Sequence, residues 1–400
     1  MKIRDFKTFV VGNPPPQFGG RYWIFIKLVT DCGIVGYGEV YNATFGPHTT
    51  AAMIEDVCER HVVGHDPFKS ENLFRKVYAS GFNLRPDVSL MGVLSGIEMA
   101  CWDIVGKALD QPVYNLLGGQ VNEKLRSYTY IYPQPDDTSD VYRDPDLAAS
   151  HAAELVEQGF TAVKFDPAGR YSAFDPRQPS LEAIERSVQF CKKIREAVGT
   201  KADLLFGTHG QFSPAGAIRL AKQLEPYDPL WFEEPCPPDN AKAMAQVSEH
   251  TSIPVATGER LTTKYEFLTV LENRSASILQ MALGRVGGIL EGKKIAAMAE
   301  AFHTQIAPHL YCGPIEAAAN IQLGACSPNF LILESIQRFD GFHNELLKTP
   351  ILWDSGYVIP PTAPGLGVEL DEAVAERHPY NEKALHLEMA SEPIVGEADI

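Results

Sequence analysis

The sequence has few cysteines, and no two of them have a spacing that pairs. Its seven cysteines are scattered over 400 residues without a CxxC pair, which argues against a disulfide framework and against structural zinc. No run approaches the roughly 18 apolar residues of a membrane span. The opening MKIRDFKTFVVG lacks an apolar core followed by a small-residue cleavage site. We therefore expect no transmembrane helix, no signal peptide and a cytoplasmic location.

Positive charge is also scarce. Lysine and arginine number 35 against 51 acidic residues, which gives a formal net charge of −16. Nucleic-acid binding requires a basic face, so this class of partner is excluded. An anionic small-molecule substrate would need local cations, which buried lysine or arginine or a bound metal could supply.

The chain is too long for one compact core, and its pattern of apolar and polar residues changes along its length. Residues 1–122 read as alternating strands followed by helical periodicity, which predicts an α+β domain. Residues 123–340 contain eight short apolar runs, each followed by a helix or loop, which is typical of a (β/α)-barrel. A doubly wound sheet would usually offer a GxGxxG turn, and no such turn follows an early strand. Residues 341–400 are Pro-rich and irregular, and we expect them to fold back onto the first domain.

The apolar runs of the barrel region end in polar residues. The runs are RSYTYIYP, TAVKFDP, DLLFGTHG, LWFEEP, IPVATGE, SILQMAL, QIAPHLY and FLILES, and their polar ends are Lys164, Asp166, His209, Glu233, Glu234, Glu259, His309 and Glu334. A single polar strand end often marks only where the chain reaches solvent. As a set they are informative, because the C-terminal ends of barrel strands converge on one mouth, where catalysis occurs.

These side chains form a recognisable chemical set. Glu233 and Glu259 offer the hard oxygen ligands that Mg²⁺ prefers. Lys164 could neutralise a substrate carboxylate or its enolate, while His309 and His209 could act as general base and acid near neutral pH. The set fits proton abstraction beside a carboxylate, with a metal holding the developing charge.

Seven segments in a fixed order make the pattern more specific. They are LSGIEMACWDIVGKALDQPVYNLLGG, VKFDP, WFEEP, ATGERL, GRVGGI, APHLYCGPI and ILES, and they resemble the enolase superfamily, mandelate racemase subgroup, over most of the chain. The resemblance implies a modified TIM barrel under an N-terminal capping domain that the C-terminus completes. ATGERLTTKYEF, KKIAAMAEA and APHLYCGPI are similar to galactonate dehydratases, and THGQFSPAGAIRLAKQLEPYDPLWFEEP to mannonate dehydratases.

The resemblance also implies individual roles. Glu233 and Glu259 match two metal-binding carboxylates, with one Mg²⁺ expected per subunit. His309 matches the acid/base histidine at the barrel mouth, and His209 the histidine that protonates a leaving hydroxyl. Glu334 matches the acid that hydrogen-bonds the substrate carboxylate.

Three positions depart from the family pattern. Gly207 stands where the first of three metal carboxylates is expected, so the third ligand is open, with Asp166 one strand away as a candidate. Ala282 stands where an aspartate should pair with His309. The second strand offers Lys164 and Asp166 instead of two lysines, which argues against two-base racemisation.

Two early loops are expected to reach over the barrel mouth. They carry Arg21, Tyr22 and Phe45, which we predict, together with Asp166, to contact the substrate. An equally open interpretation is that the three are ordinary loop residues.

The predicted function is metal-dependent dehydration of an aldonic or aldaric acid through an enediolate, giving a 2-keto-3-deoxy acid. Two alternatives stay open. An epimerase or lactone cycloisomerase would share the first half-reaction, and a sugar-acid binding protein with a decayed metal site would catalyse nothing. The resemblance further implies a homo-oligomer, either a dimer or an octamer.

Overall fold

The N-terminal part of the chain is an antiparallel sheet with helices packed on it. The computed structural model describes residues 1–394. Three strands pair in the order β1–β2–β3. They are β1 (Ile3–Gly12), β2 (Tyr22–Thr30) and β3 (Val35–Val40), followed by α1 (Pro47–Val57), α2 (Ser70–Tyr78), α3 (Val88–Leu109) and α4 (Val113–Leu116). The predicted boundary at residue 122 falls in the loop after α4.

Eight parallel strands then form a closed barrel. They are β4 (Leu125–Tyr130), β5 (Ala162–Phe165), β6 (Asp203–Phe206), β7 (Trp231–Glu233), β8 (Val255–Thr257), β9 (Ile278–Leu279), β10 (Gln305–Ile306) and β11 (Leu333–Glu334). Neighbours pair from β4 to β10, β11 pairs with β4, and a bridge between Ile306 and Phe330 closes the ring. Each predicted apolar run overlaps one of these strands, so the predicted α/β fold with a (β/α)-barrel is confirmed.

Helices connect consecutive barrel strands on the outside of the ring. They are α5 (Pro145–Glu157), α6 (Leu181–Val198), α7 (Pro214–Leu224), α8 (Ala241–Ser248), α9 (Thr263–Glu272), α10 (Leu283–Val286), α11 (Ile289–Ala301) and α12 (Pro314–Ala325). Their amphipathic faces cover the short apolar strands, which is why strands of only two to six residues suffice.

The C-terminal segment divides its contacts between the two domains. It contains α13 (Phe342–Glu345), β12 (Leu352–Asp354), β13 (Tyr357–Ile359) and α14 (Glu372–Arg377). The β12–β13 hairpin pairs with barrel strand β4, which the sequence pattern did not predict. From Gly365 onward the chain contacts the first domain: Gly365 N–H donates to the carbonyl of Gln111, and Tyr380 N–H donates to the carbonyl of Val10 on β1. Residues 395–400 of the predicted segment lie outside the described residues.

An apolar plug fills the barrel on the N-terminal side of its strands. Each strand position supplies one buried side chain: Tyr128, Ala162, Leu205, Trp231, Ala256, Ile278, Ala307 and Ile332. A TIM barrel interior is a packed core rather than a pore. Because side chains alternate along a strand with a period of two, the residue two positions later on each strand points into the same interior, one layer nearer the C-terminal mouth.

Buried carboxylates of the first domain attach it to the barrel. Glu39 on β3 accepts hydrogen bonds from three backbone N–H groups at the start of α12. Glu98 on α3 accepts two from the start of α11. Helix N-termini carry unpaired N–H groups and a partial positive charge. Each carboxylate therefore accepts hydrogen bonds from the free N–H groups and is attracted by the charge. The end of β3 is thereby held against the barrel mouth.

The helix α3 is the central helix of the first domain. Among the described residues it is the one helix long and apolar enough to cross a membrane, with a mean hydropathy of 1.5 in its most apolar window. Most of that window, 83%, is buried inside the protein, which is the position of a core helix. Asp87 caps its N-terminus by accepting from the N–H groups of Ser89 and Leu90.

Close approach of α3 to β3 requires glycine at Gly38. A Cβ there would lie 1.8 Å from the carbonyl oxygen of Gly96 on α3. We expect Gly38→Ala to lower the free energy of unfolding by about 3 kcal/mol, because both contacting backbones must separate. Urea unfolding measures this, with Gly12→Ala as the control, since a Cβ at Gly12 meets its nearest atom at 3.6 Å. Equal stability of the two variants would contradict the close packing.

Candidate active site

A layer of polar side chains lies directly above the apolar plug. Advancing two residues from each plug position gives Tyr130, Lys164, Gly207, Glu233, Gly258, Gln280, His309 and Glu334. Four of the predicted site residues, Lys164, Glu233, His309 and Glu334, therefore share one layer because of strand periodicity alone. The two glycines follow β6 and β8, on either side of Glu233 on β7, and add no side chain to the layer.

Lys164 lies between two carboxylates of this layer. Its Nζ donates a hydrogen bond of 2.7 Å to Glu233 Oε1 and lies 3.5 Å from Glu334 Oε1. All three side chains are at most 2% exposed. Burial disfavours the charged ammonium, but the carboxylates of Glu233 and Glu334 outweigh burial and hold the pKa of Lys164 well above its usual value. Lys164 is therefore a buried cation held between two carboxylates.

Two histidines flank one oxygen of Glu259. His309 Nε2 lies 3.2 Å and His209 Nε2 3.6 Å from Glu259 Oε2. On its other side, His209 Nδ1 lies 3.4 Å from Asp166 Oδ2. Glu259 reaches this position because Gly258 before it has φ +141, a conformation that favours glycine.

The two histidines have opposite pKa shifts. Burial alone would lower both. At His209 the carboxylates of Glu259 and Asp166 outweigh burial and raise the pKa to about 9. At His309 burial dominates over the attraction of Glu259 and lowers the pKa to about 3. His309 is thus neutral at neutral pH, whereas His209 carries a proton, and such a divergence is common in acid–base pairs.

The donor atoms fit a divalent cation. Ligand atoms of His209, Glu233 and Glu259 all lie within 4.8 Å of one another. Glu259 Oε2 is buried without a hydrogen-bond partner among residues 1–394, so it has the unmet coordination capacity of a ligand. Asp166, the predicted candidate for the third ligand, lies outside this group and contacts His209 from the far side. The compact set thus contains both predicted glutamates, and its third member is His209, whereas the side chain of Asp166 is directed at the imidazole of His209.

Gly207 stands where the sequence resemblance predicts a further metal carboxylate. A Cβ at Gly207 would lie 3.3 Å from Lys164 Cε, 3.3 Å from the carbonyl oxygen of Phe165 and 3.4 Å from the hydroxyl of Tyr130. These approaches are tight, and a side chain here requires shifts of a few tenths of an ångström, which the flexible Lys164 can provide more easily than the backbone of Phe165. A side chain at position 207 would therefore lie next to Lys164, the lysine that pairs with Glu233.

We expect Gly207→Asp to strengthen Mg²⁺ binding by roughly tenfold, because it adds a third carboxylate beside two existing ones. Gly207→Asn is the matched control, with the same shape and no charge. Isothermal titration of the purified variants with Mg²⁺ measures the difference. Equal affinities for the two variants would mean that the local geometry, and not the missing charge, determines metal affinity.

His309 lacks the partner that the sequence pattern led us to expect. Its Nδ1 is buried and has no hydrogen-bond partner in the described part of the chain, and Ala282 is a fully buried alanine. The ring of Tyr41, just past β3, stacks on His309 with a centroid distance of 5.9 Å and an interplanar angle of 8°. The Arg285 guanidinium lies 3.9 Å from the Tyr41 ring centroid.

A cavity of about 630 Å³ opens above these side chains. Its wall includes all the predicted polar strand ends except Glu233 and Glu234, together with aromatic side chains that sequence reasoning missed: Tyr41, Tyr130, Tyr132, Tyr142, Tyr171 and Tyr311. Arg260 and Arg285 also lie on the wall, and both belong to motifs already recognised, ATGERL and GRVGGI. Glu233 is not on the wall itself, but it accepts a hydrogen bond from Lys164, which is.

Arg21, Tyr22 and Phe45, the three residues predicted on the early loops, do not line this cavity. Tyr22 is buried within β2 and contacts Tyr380 and His386, while Phe45 is 44% exposed. Arg21 donates to the carbonyl of Leu385. On this side the wall is formed by Tyr41 and Ala43, from the loop after β3, and by residues 387–389 of the C-terminal segment.

Comparison with known families identifies both domains. Residues 18–118 match the family described as mandelate racemase / muconate lactonizing enzyme, N-terminal domain. Residues 147–374 match the family described as enolase C-terminal domain-like. Together the matches cover well over half of the chain.

Individual proteins show the same similarity over nearly the full length. D-galactonate dehydratase of Ralstonia pickettii is 36% identical, covering 94% of this chain and 93% of its own. D-xylonate dehydratase of Haloferax volcanii is 33% identical, with coverages of 94% and 89%. A crystal structure of a mandelate racemase/muconate lactonizing enzyme-type protein from Labrenzia alexandrii is 64% identical with a TM-score of 0.97, over 99% of this chain and 100% of its own.

Proposed function

The chain belongs to the mandelate racemase / muconate lactonizing enzyme family of the enolase superfamily, and on that premise we propose that it dehydrates a sugar acid. The substrate class is an aldonic or aldaric acid, and the product is a 2-keto-3-deoxy acid. Curated relatives named as dehydratases of D-galactonate and D-xylonate, at 33–36% identity, support a hydro-lyase of this kind.

Glu233 and Glu259 would hold one Mg²⁺ per subunit. Both are buried carboxylates in the compact donor group, and oxygen ligands suit this ion. When bound, the ion supplies charge stabilisation for an anion that develops on the substrate carboxylate. His209 stays a proton donor in this proposal, although its nitrogen lies within reach of the same group.

His309 removes the proton α to the substrate carboxylate. It lies on the cavity wall, it is buried, and its Nε2 is the atom turned towards Glu259. The electrons of the broken C–H bond move onto the carboxylate to give an enediolate, which the Lys164 ammonium holds electrostatically. Glu334 accepts a hydrogen bond from Leu310 N–H, and burial raises its pKa to about 7, so it can hydrogen-bond the substrate carboxylate.

His209 completes the elimination. It gives a proton to the 3-hydroxyl, the C3–O bond breaks, and the electrons of the enediolate form the C2–C3 double bond as water leaves. The enol then becomes the 2-keto acid. Asp166 and Glu259 stabilise the proton-bearing imidazole from its two sides.

One observation carries this proposal. The two histidines approach the same oxygen, Glu259 Oε2, at 3.2 and 3.6 Å, beside a fixed cation in one cavity. A base, an acid and an anion-holding group thus surround one small volume, which is what elimination beside a carboxylate requires.

The direct test is a panel of five- and six-carbon aldonates and aldarates with Mg²⁺, with products followed by mass and by a 2-keto acid reagent. We expect at least one acid to lose one water and gain a keto group. A product of unchanged mass with an inverted α-carbon would identify an epimerase instead. Binding of an acid without turnover would identify a binding protein.

A further inference from the structure

A general base must be held in one orientation, and His309 lacks the usual means. An imidazole is normally fixed by a hydrogen bond to its second nitrogen, which a carboxylate or carbonyl accepts. Nδ1 of His309 is buried with no such partner within residues 1–394. The methyl group of Ala282 stands where the family pattern has the acid.

The ring of His309 is instead covered by an aromatic plane. Tyr41 and His309 are 3% and 4% exposed, and their rings are nearly parallel, at 8°, with centroids 5.9 Å apart. This is an offset stack within the range of favourable aromatic pairs. The backbone of His309 is also fixed, since its carbonyl accepts from Asn320 Nδ2 at 3.0 Å.

Tyr41 is itself clamped. The Arg285 guanidinium lies 3.9 Å from its ring centroid, a cation–π contact between buried groups. Arg285 in turn donates from Nη1 to the carbonyl of Glu259 at 3.1 Å. On another side the ring of His386 meets Tyr41 edge-on, at 5.2 Å and 68°. Two groups from different parts of the chain, Arg285 and His386, therefore restrict one ring.

The first domain supplies the remaining rigidity. Tyr41 follows Glu39 by two residues, and Glu39 is bound by three N–H groups at the start of α12. Arg285 lies on α10, three residues after Ala282, so the strand end that lacks the acid carries the cation that restrains the tyrosine.

We propose that Tyr41 is the positioning residue for His309, taking over from the absent carboxylate, and that Arg285 locks Tyr41 in place. The capping domain then fixes the orientation of a base that the barrel provides. This inference rests on the proposed function only in calling His309 the base, because the stack itself is independent of the reaction.

The test compares Tyr41→Leu with Tyr41→Phe, which keeps the flat ring and loses only the hydroxyl. Exchange of the substrate α-proton with solvent deuterium reports the base directly. We expect Tyr41→Leu to lower kcat for exchange by about 100-fold with KM nearly unchanged, because a base displaced by about 1 Å loses rate on that order. Tyr41→Phe should retain most of the exchange.

A second-site variant separates positioning from simple damage. Tyr41→Leu/Ala282→Asp introduces a carboxylate at the position where the resemblance predicts the partner of His309, and we expect a substantial recovery of the exchange rate. Recovery would not follow if Tyr41 served only stability or touched the substrate. Equal losses in Tyr41→Leu and Tyr41→Phe, a rise in KM with normal kcat, or no recovery in the double variant would each overturn the proposal.

The stack can also be tested without turnover. Nuclear magnetic resonance of the His309 ring, assigned with His309→Asn, should give one sharp set of signals in the wild type and in Tyr41→Phe, and broadened or doubled signals in Tyr41→Leu. A single unchanged set in Tyr41→Leu would overturn the positioning role. Wild-type protein without any exchange would refute the proposed function, while the ring signals would still decide the role of Tyr41.

Discussion

Replacing His309 with asparagine is expected to lower both α-proton exchange and water loss by about 10³-fold, the scale of a lost general base. Burial keeps His309 neutral, with a pKa of about 3. Its Nε2 lies in the site, 3.2 Å from Glu259 Oε2. Asparagine keeps a similar polar shape and cannot accept the proton. Deuterium exchange followed by mass spectrometry measures the loss.

The control for that variant is another buried histidine. His343 is 5% exposed, its Nε2 contacts the carbonyl of Cys312, and it lies off the cavity wall. We expect His343→Asn to lower stability but to leave exchange in the folded protein close to wild type. Exchange that survives in His309→Asn at more than a tenth of the wild-type rate would remove His309 as the base.

Glu259→Gln is expected to have an effect of similar size on both metal binding and turnover. Its carboxylate belongs to the compact donor group and contacts both histidines. The amide removes one negative charge from a buried site, so the dissociation constant for Mg²⁺ should rise by at least about 100-fold and dehydration should fall below detection. Isothermal titration and the keto-acid assay measure the two effects.

Glu234→Gln is the matched control for this change. Glu234 is also buried and neighbours Glu233 in the chain, but its carboxylate accepts a hydrogen bond from Arg260 and lies outside the donor group. Its loss should leave Mg²⁺ affinity nearly unchanged. If both variants bind Mg²⁺ as the wild type does, the cation is not held by Glu259.

The polar strand ends could be predicted from sequence because they follow from two simple regularities. Short apolar runs alternate with helices, and side chains on a strand repeat every two residues. Lys164, Glu233, His309 and Glu334 thus share a layer that strand periodicity alone determines. The motif order added the family, which the domain matches confirmed.

What could not be predicted depends on contacts between distant segments. Tyr41 and Arg285 are separated by most of the barrel in sequence, and no periodic pattern links them. The hairpin β12–β13 pairs with β4 although the region around it is irregular and Pro-rich. Asp166 was correctly placed near the mouth, but its side-chain direction, towards His209, is decided by packing and local charge.

The C-terminal side of the cavity wall shows the same limit. The approach of the second early loop to the mouth was expected, and Tyr41 and Ala43 of that loop line the wall, but the contribution of Leu387, Glu388 and Met389 from the other end of the chain was not expected. This C-terminal stretch is held on the barrel by Ala390, whose N–H donates to the carbonyl of Tyr171. The pattern of apolar and polar residues along the chain does not predict that this C-terminal stretch completes the cavity wall.

The central claim is that His309 removes the α-proton and His209 acts only afterwards, on the leaving hydroxyl. The measurement that tests it most directly is α-deuterium exchange, together with water loss, in His209→Asn supplied with Mg²⁺ and a sugar acid that the wild type dehydrates. The account predicts that exchange continues while the 2-keto-3-deoxy acid no longer forms. Loss of exchange in His209→Asn, with exchange intact in His309→Asn, would contradict it and reverse the two roles.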